Sequence, residues 1–91
     1  MILEAFWYVS LSRERGYDPS SLETFVRQEQ AIADCYFVFG DNDYVMKINT
    51  RNSVEYQRLK YRMYQSVPAV SAINDQVVVA TIKRSTKPTP G

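Results

Sequence analysis

At 91 residues the chain has room for one domain and not for two. Eleven basic residues against ten acidic give a formal charge of +1, which excludes the electrostatic footprint of a nucleic-acid or anionic-lipid binder. With 45% apolar and 13% aromatic residues a disordered body is excluded, and no apolar run approaches the ~20 residues that span a bilayer.

A domain of this size buries only about three fifths to two thirds of the surface its unfolded chain exposes. A high apolar share in so short a chain hints that some of it is buried against a partner. No basic stretch followed by an apolar core and a cleavage site marks a secretory signal, and the one cysteine, Cys35, cannot form an internal disulfide. A cytoplasmic location is expected.

The first element, Glu4 to Ser12, is aromatic and β-branched, as suits a strand. A polar turn with Gly16 follows. A helix then starts at one of two caps, Asp18 before Pro19 or Ser20 with Glu23, and its helical spacing runs through Leu22, Phe25, Val26, Glu29, Ile32 and Ala33. Cys35 to Phe39 read as a second strand and Tyr44 to Asn49 as a third. The sequence Gly40-Asp41-Asn42-Asp43 between them reads as a tight hairpin turn, because Gly and Asx residues tolerate positive φ. Asn52 and Glu55 form a capping box for a second helix with Tyr56, Leu59 and Met63 on one face, which Val67-Pro68 ends. Val77 to Lys83 read as the last strand, and residues 87–91 as an extended tail.

The order β-α-β-β-α-β with right-handed crossovers predicts an α+β, ferredoxin-like fold: a four-stranded antiparallel sheet with two helices on one face. The other face should then be polar in a monomer. Instead, apolar residues fall on both sides of the first, second and fourth strands, with Val79 assigned to a buried position. A large uncovered apolar face is what soluble monomers avoid, so a dimer packed sheet to sheet, like a dimeric α+β barrel, is expected.

Chemistry is hard to find. The chain has no histidine, which removes the commonest general base and metal ligand, and Cys35 reads as a small buried residue rather than a nucleophile. No glycine-rich phosphate loop is present, and Asp41 and Asp43 lack the acidic series of a calcium loop. The bases Arg51, Arg58, Lys60 and Arg62 read as a solvated helix face. The topology is shared with RNA-recognition motifs, but the basic–glycine–aromatic third strand of that motif is absent.

Three segments resemble one family. Cys35-Tyr36-Phe37-Val38-Phe39-Gly40-Asp41-Asn42-Asp43-Tyr44-Val45-Met46-Lys47, then Tyr56-Gln57-Arg58-Leu59 with Val67-Pro68-Ala69-Val70, then Lys83-Arg84-Ser85-Thr86-Lys87-Pro88 occur in order. Together they are similar to the C-terminal effector (RAM) domain of Lrp/AsnC, or feast/famine, transcription regulators. The resemblance runs from about Phe6 to Pro90 and assigns residues 1–86 to one ligand-binding and oligomerisation domain.

It implies a transcription-regulating, amino-acid-sensing role, homodimers that associate further into rings such as octamers, and a small-molecule effector, in most cases an amino acid, bound between dimers. It implies no cofactor, no metal and no catalysis. The DNA reader of such regulators is a helix-turn-helix region, so direct DNA binding by this chain is not expected, nor is a membrane partner. By the same resemblance the ligand-binding residues are Gly40, Asp41, Asn42, Asp43 and Tyr44 on the hairpin, and Ile73, Asn74, Asp75 and Gln76 in the loop entering the last strand. A glycine-containing turn can hold a carboxylate with its N–H groups, and Asp41 or Asp75 can pair with an ammonium. The ordinary role of Asp41 and Asp43, shaping the hairpin, stands beside this. A small dimeric α+β barrel enzyme and a ligand-free assembly module are the alternatives.

Overall fold

Six elements follow in the expected order: β1 (Leu3–Leu11), α1 (Pro19–Gln28), β2 (Ile32–Phe37), β3 (Tyr44–Thr50), α2 (Ser53–Ser66) and β4 (Val70–Val77). They come from a computed structural model that describes residues 2–14 and 16–85. The tail expected over 87–91 lies outside the described residues.

The strands form one antiparallel sheet in the order β2-β3-β1-β4. β1 is central, with Trp7 opposite Met46 of β3 on one side and Asp75 of β4 on the other. Alternation sends Ala5, Trp7, Val9 and Leu11 of β1, and Tyr44, Met46 and Ile48 of β3, to the face that both helices cover. Leu22 of α1 and Tyr56, Leu59 and Met63 of α2 close the core over them. Burying a side chain such as Leu59 or Met63 contributes about 1.5–3 kcal/mol.

Asp18 settles the start of α1. Its Oδ1 accepts from the Ser21 N–H at 3.3 Å and from the Ser20 hydroxyl at 2.7 Å, with Pro19 in the first turn. Ser20 is therefore not the cap, and Glu23 is left to serve elsewhere. Asn52 caps α2 as expected, accepting from the Glu55 N–H at 2.8 Å, and Val67 is the C-cap.

Three boundaries differ from the sequence expectation. α1 stops at Gln28, Glu29 is already extended, and Ile32 and Ala33 open β2 instead of closing the helix. Ile32 is buried because it is an inward strand residue, and that requirement happened to coincide with helical spacing. β2 ends at Phe37, and one further backbone bond, from the Val38 N–H to the Asp43 carbonyl at 3.0 Å, closes a connection of four residues, 39–42. Among the described residues only Gly16 has a positive φ, so Gly40 does not supply the left-handed geometry expected of it.

The largest difference is the last strand. It occupies Val70–Val77, with a bulge opposite Ser10/Leu11, and not Val77–Lys83. Ile73, Asn74, Asp75 and Gln76 thus lie within a strand rather than in a loop. β4 is an edge strand, where backbone pairing with β1 holds a polar sequence that weak strand propensity would disfavour. After Val77 one further hydrogen bond, Val78 N–H to the Glu4 carbonyl at 2.8 Å, precedes an exposed segment. Val79, assigned to a buried strand, is 98% exposed.

The face away from the helices is mixed rather than uniformly apolar. One row across it reads Tyr36, Val45, Tyr8 and Asn74, the next Asp34, Lys47, Phe6 and Gln76. Tyr36 and Phe6 remain exposed in the single chain.

Candidate functional site

The hairpin loop is clamped to the end of β1 by its own polar residues. Asp43 accepts the Leu11 N–H at 2.8 Å and the Arg13 guanidinium at 3.0 Å, while its own N–H donates to the Val9 carbonyl at 2.9 Å. The Asn42 amide donates to the Ser10 hydroxyl at 3.0 Å. Both side chains are half-buried and spent on holding the loop, the structural role that sequence reasoning set beside ligand binding. Gly40 and Asp41 are exposed at its outer part, next to the fully exposed Phe39. With no positive φ in the loop, the alternating nest that would cradle a carboxylate is not formed within one chain.

Tyr44 leads out of this loop into the core. Its ring is buried beside Phe37, with centroids 5.2 Å apart, and its hydroxyl donates to Glu23 Oε2 at 2.8 Å. Burial, and secondarily the Glu23 carboxylate, push the phenol well above its ordinary range.

Asp75 anchors a second polar group. Trp7 is fully buried, and its indole N–H donates to the Tyr56 hydroxyl at 2.8 Å. Tyr56 in turn donates to Asp75 Oδ2 at 2.7 Å, and the Lys60 ammonium reaches the same oxygen at 2.7 Å. The Trp7 and Tyr56 rings meet edge to face at 5.7 Å. Lys60 first, then Tyr56, hold the Asp75 carboxyl below its usual range. Burial, and then Asp75, push the Tyr56 phenol up to about 12. Asp75 is thus committed inside the fold to joining β4 to α2.

The rest of the expected set divides by strand alternation. Tyr44, Val9 and Ile73 form one row on the helix side, which places Tyr44 and Ile73 two strand spacings, about 10 Å, apart. The Ile73 N–H donates to the Tyr64 hydroxyl at 3.2 Å. Asn74 and Gln76 lie exposed on the opposite face, and Gln76 sits beside Phe6, well away from the hairpin. Tyr44 lines a recess of about 250 Å³ shared with Glu23, Val26, Arg27, Cys35 and Phe37, apart from the rest of the expected set.

A larger recess of about 560 Å³ lies on the open face, between Phe6, Glu4 and Lys47 and the segment after β4. There Arg84 holds both oxygens of Glu4 at 3.0 and 3.1 Å, and Lys47 approaches at 3.3 Å. None of the expected site residues lines it.

Glu23, Arg27, Trp7, Tyr56 and Lys60 were not among the expected site residues. Glu23 read as a capping residue, and only the register of β3 brings Tyr44 to it. For Trp7 one signal existed: a buried indole needs an acceptor, and a tyrosine on the covering helix face is a fitting one.

A family model for the Lrp/AsnC ligand binding domain matches residues 4–88. The proline dehydrogenase transcriptional activator of Rhizobium radiobacter is 30% identical over 81 residues, 89% of this chain and 52% of that protein. A transcriptional regulator from Neisseria meningitidis, solved in complex with L-methionine, superposes with a TM-score of 0.80 at 21% identity, covering 92% of this chain and 54% of that one. The feast or famine regulatory protein of M. tuberculosis, also complexed with L-methionine, gives 0.77 at 17% identity, covering 97% and 57%. The chain spans about half the length of the curated relatives it matches. By the match across nearly its whole length, the chain belongs to the Lrp/AsnC family, as a ligand-binding domain of that kind.

Proposed function

We propose that this domain senses a small molecule, an α-amino acid or a close relative, as the effector part of a cytoplasmic transcription regulator, and that it works as a homodimer or larger assembly such as an octamer. The family match over residues 4–88 carries the reading, and the methionine complexes of two structural neighbours support the ligand class. The role is regulatory and not catalytic: a chain with no histidine and a half-buried thiol pushed up to about 11, chiefly by burial, lacks an activated nucleophile or base. A net charge of +1 supports leaving operator contacts to a helix-turn-helix region. Among the described residues no helix is long and apolar enough to cross a membrane.

The division of the site residues supports a seam between copies. Gly40 and Asp41 at the loop, with Asn74 and Gln76 on β4, are presented outward. Asn42, Asp43, Tyr44, Ile73 and Asp75 hold them from behind. A second copy on the open face would cover Tyr36, Tyr8, Val45 and Phe6.

Light scattering during size exclusion, with and without the common amino acids, tests this. A dimer or larger particle whose size changes with one amino acid is expected, and Asp41→Ala should weaken that response without loss of fold. A monomer indifferent to every amino acid would refute the reading.

A further inference from the structure

We infer that the recess between α1 and the β2–β3 edge, rimmed by Glu23, Arg27 and Tyr44, is a binding site for a small α-amino acid with an apolar side chain. It lies within one copy, apart from the seam proposed above, and the inference rests on the amino-acid reading given there.

The recess is built by three elements. α1 supplies the half-buried Glu23 and Val26 and the exposed Arg27, within one helical turn of one another. β2 supplies Cys35 and Phe37, and β3 supplies Tyr44. The walls formed by Val26, Cys35 and Phe37 are apolar, with the thiol half-buried. Its volume of about 250 Å³ suits a molecule of amino-acid size, not a nucleotide or a peptide.

The polar rim offers what a zwitterion needs, in the right order. Glu23 is fixed in place, because the buried Tyr44 hydroxyl donates to its Oε2 at 2.8 Å. A carboxylate has about four acceptor positions, so its remaining lone pairs can receive an ammonium. Arg27 lies at 3.5 Å from Glu23 Oε1, and its side chain is 74% exposed. An exposed i,i+4 pair of that kind is weak and is easily opened. An α-ammonium inserted beside Glu23 would place the neighbouring α-carboxylate within reach of the guanidinium, which binds carboxylates through paired N–H groups. The apolar side chain would then lie against Val26 and Phe37. A carboxylate held by a buried phenol, beside an exposed guanidinium and an apolar wall, is a pattern that core packing alone does not require.

The single cysteine gives a direct readout. L-methionine, L-leucine and L-phenylalanine would be titrated by calorimetry into the intact chain, Glu23→Gln and Arg27→Met. In parallel, the rate of Cys35 modification by a small thiol reagent would be followed at a protein concentration where light scattering shows no change of assembly. Glu23→Gln keeps an acceptor for the Tyr44 hydroxyl, and Arg27→Met alters an exposed residue, so both should fold. Each should weaken binding about tenfold or more, the effect of losing a charged hydrogen bond. Saturating amino acid should slow Cys35 modification in the intact chain and not in Glu23→Gln. Binding that both variants retain, with Cys35 unprotected, would overturn this site and leave the seam standing. No binding by any of the three amino acids would overturn this site, and the seam reading would still stand or fall on its own test with the full set of amino acids.

Discussion

On the helix side of β1, Trp7 and its neighbours are buried, and an unbroken run of hydrogen bonds joins Trp7 to Tyr56, Asp75 and Lys60. On the other side of the same strand, Phe6 and Tyr8 look out with Tyr36 and Val45 across a row that also holds Asn74, Gln76, Lys47 and Asp34. The two faces have similar aromatic content and different completeness. One satisfies its polar groups within the chain and so fixes the fold. The other leaves aromatic rings and amides side by side, which suits a surface that a second molecule completes. Hydrophobicity alone does not separate a core from an interface here; the pairing of polar atoms does.

The contrast can be broken most strongly at Trp7. Trp7→Ala should cost about 3–5 kcal/mol in urea unfolding, since it opens a cavity in the centre of the core and removes the donor that the Tyr56 hydroxyl accepts from. A loss under 1 kcal/mol would show that the helix side is not the organising face.

A smaller effect is expected from base. The folded-state pKa of Tyr56 is raised from 10.0 to about 12, so its contribution is fully present below pH 10 and is lost as pH rises through 12. Asp75 has the opposite sign. Its carboxyl is held low, chiefly by Lys60, so its contribution is present above the ordinary aspartate pKa of about 4 and is lost on acidification below it. Ultraviolet titration of the tyrosines should find two, Tyr44 and Tyr56, ionising late and together with unfolding; Tyr56→Phe should remove one of the two.

The smallest effect belongs to the open face. Tyr36 is 59% exposed, so Tyr36→Glu should change the unfolding free energy of the separated chain by no more than about 0.5 kcal/mol. In light scattering the same substitution should lower the assembly state. A large loss of stability with unchanged assembly would reverse the roles assigned to the two faces.

Much of the fold was legible in the sequence because it rests on local rules. The aromatic alternation of β1, the Asn52–Glu55 cap and the apolar face of α2 each follow from a few neighbouring residues. The register of β4 does not. Ser71, Asn74, Asp75 and Gln76 are poor strand formers, whereas Val77 to Ile82 look like good ones, yet the polar stretch pairs with β1 and the chain leaves the sheet after Val78. In that register backbone pairing with β1 is joined by the Asp75 carboxylate, which meets Tyr56 and Lys60. The candidate site was legible at the level of the hairpin and not of its partners. Asp43 could be read as shaping the loop, but its bond to the Leu11 N–H spans 32 residues of sequence.

The placement of β1 has a consequence for how the chain is made. Of the four strands of this domain, the first made lies inside the sheet, and its second neighbour, β4, is the last of the four made, with Ala5 pairing with Val77. Until those residues emerge, β1 keeps one bare edge and the core around Trp7 lacks the carboxylate that completes it. Folding of this domain is therefore deferred until β4 has emerged, and a break anywhere in β4 leaves the central strand open to pairing with other nascent chains.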